Sequence, residues 1–272
     1  MSALGVERVA VLGAGKMGET LIGALVGAHG LAAERIVATA RHDETLRRVG
    51  DAFGVATSRD NRAAARGAGL VLLCVKPQGA EEVLAELSPV LDRGQLLVSI
   101  VAGLTLSRIQ ERLAGPVPVV RAMPNTPAQV GAGMTALTAG PHAGDDHLAL
   151  AERLFAQLGR TLILDEKYFD AVTGLSASGP AFLYIAIEAL AEGGVKMGLP
   201  RKVATELAAQ ACLGAGKMVM ETGSHPALLK DAVTTPAGCT MDGILMLEEG
   251  GLRVTLIKAV VEATRRAREL VD

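Results

Sequence analysis

The glycine pattern Gly13-Ala-Gly-Lys-Met-Gly18 constrains the fold of this chain more than any other feature. It follows an apolar run at residues 9–12, which predicts a buried strand, and it opens a segment with helical spacing. In that context the first glycine makes a tight turn, the second lets the backbone approach a pyrophosphate, and the third allows helix and strand to pack closely. The N-terminal segment is therefore predicted to bind a dinucleotide through Gly13, Ala14, Gly15, Lys16, Met17 and Gly18.

Short apolar runs alternate with amphipathic segments through residue 165. The pattern predicts helices at 16–28 and 43–49 and strands at 9–12, 35–39, 70–75, 95–100, 117–121 and 134–138. Apolar strands interleaved with helices indicate a parallel sheet covered on both faces. The fold class is therefore α/β, with a Rossmann-type doubly wound sheet predicted at residues 1–165.

The strand pattern stops after residue 165, and residues 166–272 are predicted to form an all-helical domain. Long helices are predicted at 180–197, 201–221 and 252–271. Helices this long and this rich in small residues cannot all be buried in one small domain. We therefore expect them to pack against a second copy of themselves, so that this domain serves dimerisation.

Composition argues against several classes of protein. The chain has 272 residues and a net charge of −2, with no basic stripe, so nucleic acid is not an expected partner. Cys74, Cys212 and Cys239 show neither a disulfide framework nor a metal-binding spacing. No signal pattern and no uninterrupted apolar window of membrane-spanning length is present. We expect a cytoplasmic protein without a metal and without a membrane span.

The residues that follow the second predicted strand bear on cofactor choice. An Asp or Glu there would suit the ribose hydroxyls of NADH, whereas Arg41, with Thr39 beside it, suits the 2′-phosphate of NADPH. Asp43 and Glu44 lie close by and weaken the pattern. NADPH is the predicted cofactor, NADH remains possible, and an ordinary surface arginine is the alternative interpretation.

Three further turns follow predicted strands. Lys76 and Pro77 end the third strand, Ala102 and Gly103 end the fourth, and a stiff turn with Asn125 ends the fifth. Ligands of open α/β sheets bind at the carboxyl ends of strands. We expect Lys76 near phosphate or ribose, Pro77 to shape its turn, and Ala102 and Gly103 to approach the nicotinamide.

A loop at residues 233–243, VTTPAGCTMDG, combines hydroxyls, glycine and a thiol ahead of a helical segment. Free backbone N–H groups and the helix dipole make such a helix start an anion site. It is predicted to hold a small carboxylate substrate. The plainer interpretation is an ordinary capping loop, since Thr before a helix usually caps it.

Six motifs, in order along the whole chain, resemble the pyrroline-5-carboxylate reductase family: GAGKMG, VKPQ, RAMPNTPAQVGAG, TGLSASGPAFLY, GGVKMGLP and VTTPAGCTMDG. The resemblance implies reduction of the cyclic imino acid 1-pyrroline-5-carboxylate to L-proline with NAD(P)H, the last step of proline biosynthesis. It also implies a Rossmann domain and a helical domain that interlocks in homodimers, which often assemble into decamers.

The resemblance further implies roles for individual residues. Asn61 would join Thr39, Arg41, Lys76 and Ala102 at the dinucleotide, although from sequence alone Asn61 resembles a helix N-cap. The substrate pocket would contain Ser176, Ser178, Gly179, Pro180, Thr235, Gly238, Cys239 and Thr240. Ala177 and Ala237 replace glycines that relatives often have, and Ala237 matters more if its backbone needs a positive φ.

A protonated cyclic imine accepts hydride directly, so the reaction needs little from the protein beyond orientation. Thr240 is the candidate catalytic residue, which would hydrogen-bond the ring nitrogen as proton donor or relay. One alternative is a β-hydroxyacid dehydrogenase, with Lys196 or Lys217 as general acid. Another is a non-catalytic NADP-binding sensor. The five histidines have no ligand spacing and are predicted to lie at the surface.

Overall fold

The computed structural model describes residues 4–269, which pack as two compact units. The first unit contains the chain up to Ala177 together with the C-terminal segment from Ala263, and the second unit is Ser178–Glu262. A boundary after residue 165, as the sequence pattern suggests, stays a prediction.

The first unit is built on an eight-stranded sheet formed by described residues, in the order β3-β2-β1-β4-β5-β6-β7-β8. All neighbours pair in parallel except β6 and β7. The strands are β1 Val9–Leu12, β2 Ile36–Thr39, β3 Ala56–Ser58, β4 Leu70–Leu73, β5 Leu96–Ser99, β6 Val119–Met123, β7 Gly133–Ala139 and β8 Gly159–Ile163.

The six predicted strands are present, and two others escape the sequence pattern. β3 is three residues long, and β8 contains apolar residues only at its end, Leu162 and Ile163, after Gly159, Arg160 and Thr161. The expectation of a wholly parallel sheet is wrong at β7. Only a turn with the 3₁₀ segment Thr126–Val130 separates β6 from β7, and a connection without a crossover element returns the chain antiparallel.

Both faces of the sheet are covered, which confirms the doubly wound fold. Val9 and Val11 of β1 point into a core closed by the helices at residues 16–26, 43–53 and 145–156. Ala10 and Leu12 point into a second core closed by the helices at residues 61–65, 80–87 and 106–112. The alternation follows from the two-residue period of a strand. The carboxyl ends of the parallel strands remain at one edge, where the candidate site lies.

The described residues form twelve α-helices. The first unit has α1 Lys16–Val26, α2 Asp43–Phe53, α3 Asn61–Ala65, α4 Ala80–Leu87, α5 Leu106–Arg112, α6 Asp145–Ala156 and α7 Phe169–Val172. The rest are α8 Gly179–Lys196, α9 Arg201–Thr222, α10 Pro226–Ala232, α11 Cys239–Glu249 and α12 Leu252–Arg268. The five predicted helices correspond to α1, α2, α8, α9 and α12. The predicted end of the last one, at Val271, lies outside the described residues.

One helical stretch in the described part of the chain, Glu166–Lys196, has the length and composition of a membrane-crossing helix. Only 11% of its apolar window is buried in the protein. Length and composition are weak grounds for a membrane span, and the expectation of none stays a prediction.

The second unit buries little of its own apolar surface. Its core is a contact between α8 and α9 through small side chains, with Ala191, Ala204 and Ala208 buried. A Cβ on Gly194 would lie 3.1 Å from the Cβ of Ala204, so the two helices approach closely. Large apolar side chains point outward from these helices and from α11 and α12, among them Leu183, Ile185, Leu207, Leu213, Met246, Ile257 and Val261.

Candidate functional site

The turn after β1 has the geometry that its glycines predict. Gly13 has a φ of +94°, and a Cβ there would lie 2.9 Å from the backbone of Cys74. A Cβ on Gly18 would lie 2.3 Å from the Gly13 carbonyl oxygen. The N–H groups of Gly13 and Ala14 donate to the carbonyl oxygen of Thr39, at 3.1 and 2.7 Å. Neither glycine position can hold a larger residue without moving the backbone.

The N-terminus of α1 is open for an anion. Its N-cap is Gly15, with no capping side chain, and a Cβ built there meets no atom within 4 Å. Lys16 is exposed, whereas Met17 packs against the core. Unpaired first-turn N–H groups beside open space are what a pyrophosphate requires. The residues present therefore fit a dinucleotide.

Four residues predicted to bind the dinucleotide line one cavity of about 240 Å³: Gly13, Thr39, Arg41 and Asn61. The Thr39 hydroxyl donates to Asn61 Oδ1 at 2.7 Å, and Asn61 Nδ2 donates to Glu86 Oε2 at 2.8 Å. Asn61 is not the N-cap of α3. That residue is Asp60, whose Oδ1 accepts the N–H of Ala63 at 3.0 Å, and the Asn61 side chain is thereby left to reach β2.

Arg59 lines the same cavity, and sequence reasoning missed it. Its Nε donates to Asp43 Oδ1 at 2.8 Å, and its Nη2 lies 2.8 Å from Asp43 Oδ2. The negative charge of Asp43, which made the sequence pattern for NADPH less clear, is thus paired with Arg59. Arg41 has no ion-pair partner among residues 4–269. Its guanidinium lies against Gly79, where a Cβ would come within 2.1 Å of Nη2.

The other predicted strand-end residues lie at the same edge of the sheet. Lys76 is exposed and precedes the 3₁₀ turn Pro77–Gly79. Gly103 has a φ of +77°, and Ala102 packs against an apolar cluster with Met123 and Phe169. Cys74, between β4 and Lys76, has its thiol pKa raised by burial, so the thiol stays protonated near neutral pH.

Asn125, in the turn after β6, contacts a residue that is predicted to bind the substrate. Its Nδ2 donates to the carbonyl oxygen of Ser176 at 3.1 Å and lies 3.3 Å from the Ser176 hydroxyl. Its Oδ1 accepts the N–H of Met134 at 2.9 Å. Ser176 belongs to a π-helical turn, Thr173–Ala177, a rare geometry that is frequent at functional sites. Ser178 follows that turn, and Gly179 and Pro180 begin α8 in the second unit.

A buried charge lies beside this turn, and the sequence pattern did not reveal it. Arg121 of β6 is 2% exposed and donates from Nη1 to Glu166 Oε1 at 2.8 Å. Its guanidinium carbon lies 4.8 Å from the centre of the Phe169 ring. Nothing in the local spacing of Arg121 distinguishes it from a surface arginine, because its partners follow 45 or more residues later.

The loop predicted to bind a carboxylate leads into α11. The Thr234 hydroxyl donates back to Asp231 O at 2.7 Å, and the N-cap of α11 is Gly238, with no capping side chain. Cys239 and Thr240 are the first two helical residues, and both are exposed. No threonine hydroxyl therefore caps α11 from the N-cap position, as the interpretation of an ordinary capping loop would require.

Two residues give this loop its shape. A Cβ on Gly238 would lie 2.4 Å from the Thr235 hydroxyl, so that hydroxyl lies over the start of α11. Ala237 has a φ of +59°, the one positive φ of a non-glycine residue among residues 4–269. A Cβ in the left-handed region costs about 1 kcal/mol.

The two lysines that a hydroxyacid dehydrogenase could use as general acid are both exposed to solvent in the single chain. Lys196 ends α8 and is exposed. Lys217 is 66% exposed and lies 3.6 Å from Glu221, one helical turn away. No group of three His, Cys, Asp or Glu residues that could hold a metal ion occurs in the described part of the chain.

Comparison with known proteins assigns both parts of the chain. Residues 166–270 match the family profile described as pyrroline-5-carboxylate reductase dimerisation, and residues 8–103 match the profile described as NADP oxidoreductase coenzyme F420-dependent. A pyrroline-5-carboxylate reductase from Glycine max is 45% identical to this chain, over 95% of the chain and 94% of the relative.

Solved structures agree along the whole chain. A pyrroline-5-carboxylate reductase from Coxiella burnetii superposes with a TM-score of 0.88 at 35% identity, covering 98% of this chain and 99% of that one. The Plasmodium falciparum enzyme, solved with NADP bound, gives 0.87 at 28% identity, covering 98% and 100%. With a relative 45% identical over 95% of the chain, and with the dimerisation profile at residues 166–270, the chain belongs to the pyrroline-5-carboxylate reductase family.

Proposed function

We propose that this chain reduces 1-pyrroline-5-carboxylate to L-proline with NADPH, the final step of proline biosynthesis. The observation that carries the proposal is a pair of uncapped helix N-termini, each with glycine at the N-cap. One is α1, after the dinucleotide turn, and the other is α11, inside a family-specific motif. The first suits a pyrophosphate and the second suits the carboxylate of a small imino acid.

The first unit supplies the cofactor half of the reaction. The open turn at Gly15 takes the pyrophosphate, and Arg41, free of a carboxylate partner, takes the 2′-phosphate. Arg59 supports it by occupying Asp43, which would otherwise repel that phosphate. Thr39 and Asn61 line the ribose side of the cavity. These positions favour NADPH, and NADH would lack the contact that Arg41 makes.

The second unit supplies the substrate half. The N–H groups at the start of α11 and the Thr235 hydroxyl bind the carboxylate. The Thr240 hydroxyl hydrogen-bonds the ring nitrogen of the neutral imine and passes it a proton that solvent replaces. Ser178, Gly179 and Pro180 of the same unit are further proposed substrate contacts, and Ser176 is one proposed from the first unit.

Protonation of the imine nitrogen leaves an electrophilic carbon. Bound NADPH supplies the hydride. Addition of one hydride and one proton across the C=N bond gives the amine of proline, so no alkoxide forms. The residues therefore act by binding and orienting the substrate, and a strong general acid is not required. Lys196 and Lys217, the candidate acids of a hydroxyacid dehydrogenase, lie in the solvent within one chain.

The exposed apolar side chains of the second unit support a homodimer through residues of the dimerisation profile. Dimers that assemble further into a decamer are the extension we propose. A cytoplasmic protein without nucleic acid or membrane partners agrees with its net charge and free thiols.

The test is oxidation of NADPH, followed at its nicotinamide absorbance, with 1-pyrroline-5-carboxylate, then with NADH, and then with 2-keto and 3-hydroxy acids. Turnover with pyrroline carboxylate alone, faster with NADPH, is the expected result. Binding of NADPH without reduction of any imine would favour a sensor, and turnover of hydroxy acids would favour a hydroxyacid dehydrogenase.

A further inference from the structure

Arg121 is a buried charge whose hydrogen bonds are incompletely satisfied. Nη1 meets Glu166, whereas Nε and Nη2 have no partner in the described part of the chain. Burying a guanidinium with unmet donors costs free energy, and apolar side chains of similar volume often stabilise such a position at least as well. Stability alone is therefore a poor explanation for an arginine at this position of β6.

The contacts of Arg121 fix the start of one segment, residues 166–177. Glu166 Oε1 accepts from Arg121 and also from the N–H of Leu106, at 2.7 Å, so it ties the segment to the start of α5. The Phe169 ring, fully buried, lies under the guanidinium. The carbonyl oxygen of Phe169 accepts a hydrogen bond from the Thr173 hydroxyl at 2.8 Å. This bond links Phe169 to the first residue of the π-helical turn.

The end of the same segment contacts the turn that follows β6. Asn125 lies four residues after Arg121 and bonds to Ser176. A π-helical turn is rarely adopted, so tertiary contacts decide its shape. The cluster around Phe169 also includes Ala102 and Ala177. Strand β6 and the turn that follows it thus contact the segment at both ends, through the buried charge of Arg121 at one end and the amide of Asn125 at the other.

We propose that Arg121 is a positioning residue for the imine substrate. It acts through Glu166 and Phe169 on the π-helical turn and so keeps Ser176 in the geometry that substrate binding requires. This inference rests on the proposed function, in which Ser176 contributes to the substrate pocket. It assigns Arg121 no contact with the dinucleotide, whose phosphates are predicted to bind at α1.

The experiment compares Arg121→Met, Arg121→Lys and, as a matched control, Arg112→Met. Arg112 is an arginine of the same unit that pairs with Glu81 at 2.7 Å and is 53% exposed. For Arg121→Met we expect the KM for the imine to rise about tenfold or more, because small misplacements of binding groups are costly. The NADPH Kd, from quenching or calorimetry, should stay within about twofold of wild type, since the phosphate site is separate. Arg121→Lys should restore part of the imine KM, and Arg112→Met should change neither constant.

A purely structural role would reduce the amount of folded enzyme, and hence kcat, without moving the imine KM. An unchanged imine KM in folded Arg121→Met would therefore overturn the proposal. If that variant does not fold, Glu166→Gln is decisive: faster hydrogen exchange across residues 166–177 together with a raised imine KM supports positioning, and wild-type values for both contradict it. A wild-type enzyme that reduces no imine would instead remove the proposed function itself.

Discussion

Thr39, at the end of β2, donates a hydrogen bond of 2.7 Å to Asn61, the first residue of α3. Asn61 in turn donates to Glu86 on α4 at 2.8 Å, so its amide orientation is set from both sides. Thr39 is 2% exposed. One buried hydroxyl therefore orders three elements along one wall of the predicted cofactor cavity.

Replacement of Thr39 by Val keeps the shape of the side chain and removes the donor. We expect the free energy of unfolding to fall by about 1 kcal/mol and the NADPH Kd to rise a few-fold, because Asn61 loses its fixed orientation. Urea unfolding and calorimetric titration measure the two effects. Thr57→Val on exposed β3 is the control. Unchanged NADPH affinity in Thr39→Val would show that Asn61 needs no such support.

Replacement of Arg41 by Ala removes from the cofactor cavity an arginine that has no ion-pair partner among residues 4–269. The NADPH Kd should rise about tenfold or more, since a charged hydrogen bond contributes roughly 1.5–3 kcal/mol, while the NADH Kd changes little. Arg47→Ala, on the exposed part of α2, should leave both constants unchanged. Equal losses of NADPH and NADH affinity in Arg41→Ala would argue against a 2′-phosphate contact.

Arg59→Ala releases Asp43 beside the same cavity. Repulsion by the freed carboxylate should weaken NADPH binding, and Asp43→Ala in the same chain should recover part of the loss. A double-mutant cycle on the Kd of 2′,5′-ADP isolates this coupling. Additive effects of the two changes would mean that the Arg59–Asp43 pair does not act on the phosphate.

Ala237→Gly relieves the positive φ in the loop before α11. The free energy of unfolding should rise by about 0.5–1 kcal/mol, although the more flexible unfolded chain offsets part of the gain. Ala209→Gly, at an exposed position inside α9, should instead lower it by about 1 kcal/mol. Chemical unfolding measures both. Loss of stability in Ala237→Gly would mean that the loop does not need the left-handed conformation in solution.

Two of the thiols differ in exposure, Cys74 being partly buried and Cys239 exposed. Burial raises the pKa of Cys74, whereas Cys239 is exposed at the start of α11. The thiol of the unfolded chain ionises near its ordinary pKa of about 8.5, whereas the thiol of the folded protein stays protonated to higher pH. The free energy of unfolding should therefore fall as the pH rises above about 8.5. Iodoacetamide at pH 8 should therefore alkylate Cys239 first and Cys74 only after unfolding in urea. Peptide mass spectrometry reads the order, and equal rates in the folded protein would contradict it.

The apolar face of α8 tests the dimer. Ile185 is 66% exposed in the single chain. Ile185→Glu should shift the molecular mass from dimer or larger toward monomer in light scattering, because a carboxylate would be buried at the interface. Ile185→Leu, of equal volume and polarity, should retain the wild-type mass. An unchanged mass for Ile185→Glu would place the dimer contact elsewhere.

Several features of the fold and site followed from the sequence because their causes are local. Gly13 and Gly18 stand where a Cβ would strike the backbone, and short apolar runs predicted the six main strands. Ala237 was singled out by the family resemblance, because it replaces a glycine that relatives often have, and its φ in the structure is positive. The order of motifs along the chain was sufficient for the family.

Other features depend on contacts between distant parts of the chain. β8 has no apolar run and is a strand because β7 offers it a partner. His29 was expected at the surface, yet it is buried, with Nε2 3.2 Å from Leu154 O, 125 residues away. This expectation was wrong because a lone histidine has no spacing that records its neighbours.

The site divides in the same way. The sequence by itself determined the shape of the turn after β1 that is predicted to bind the pyrophosphate, because glycine spacing and helix starts act within a few residues. Only the tertiary structure decided that Arg59 holds Asp43 and that Arg121 meets Glu166, pairs formed by residues 16 and 45 positions apart. Charges along a chain do not specify their partners, because the sheet order and the crossovers decide which side chains come within a few ångströms of one another.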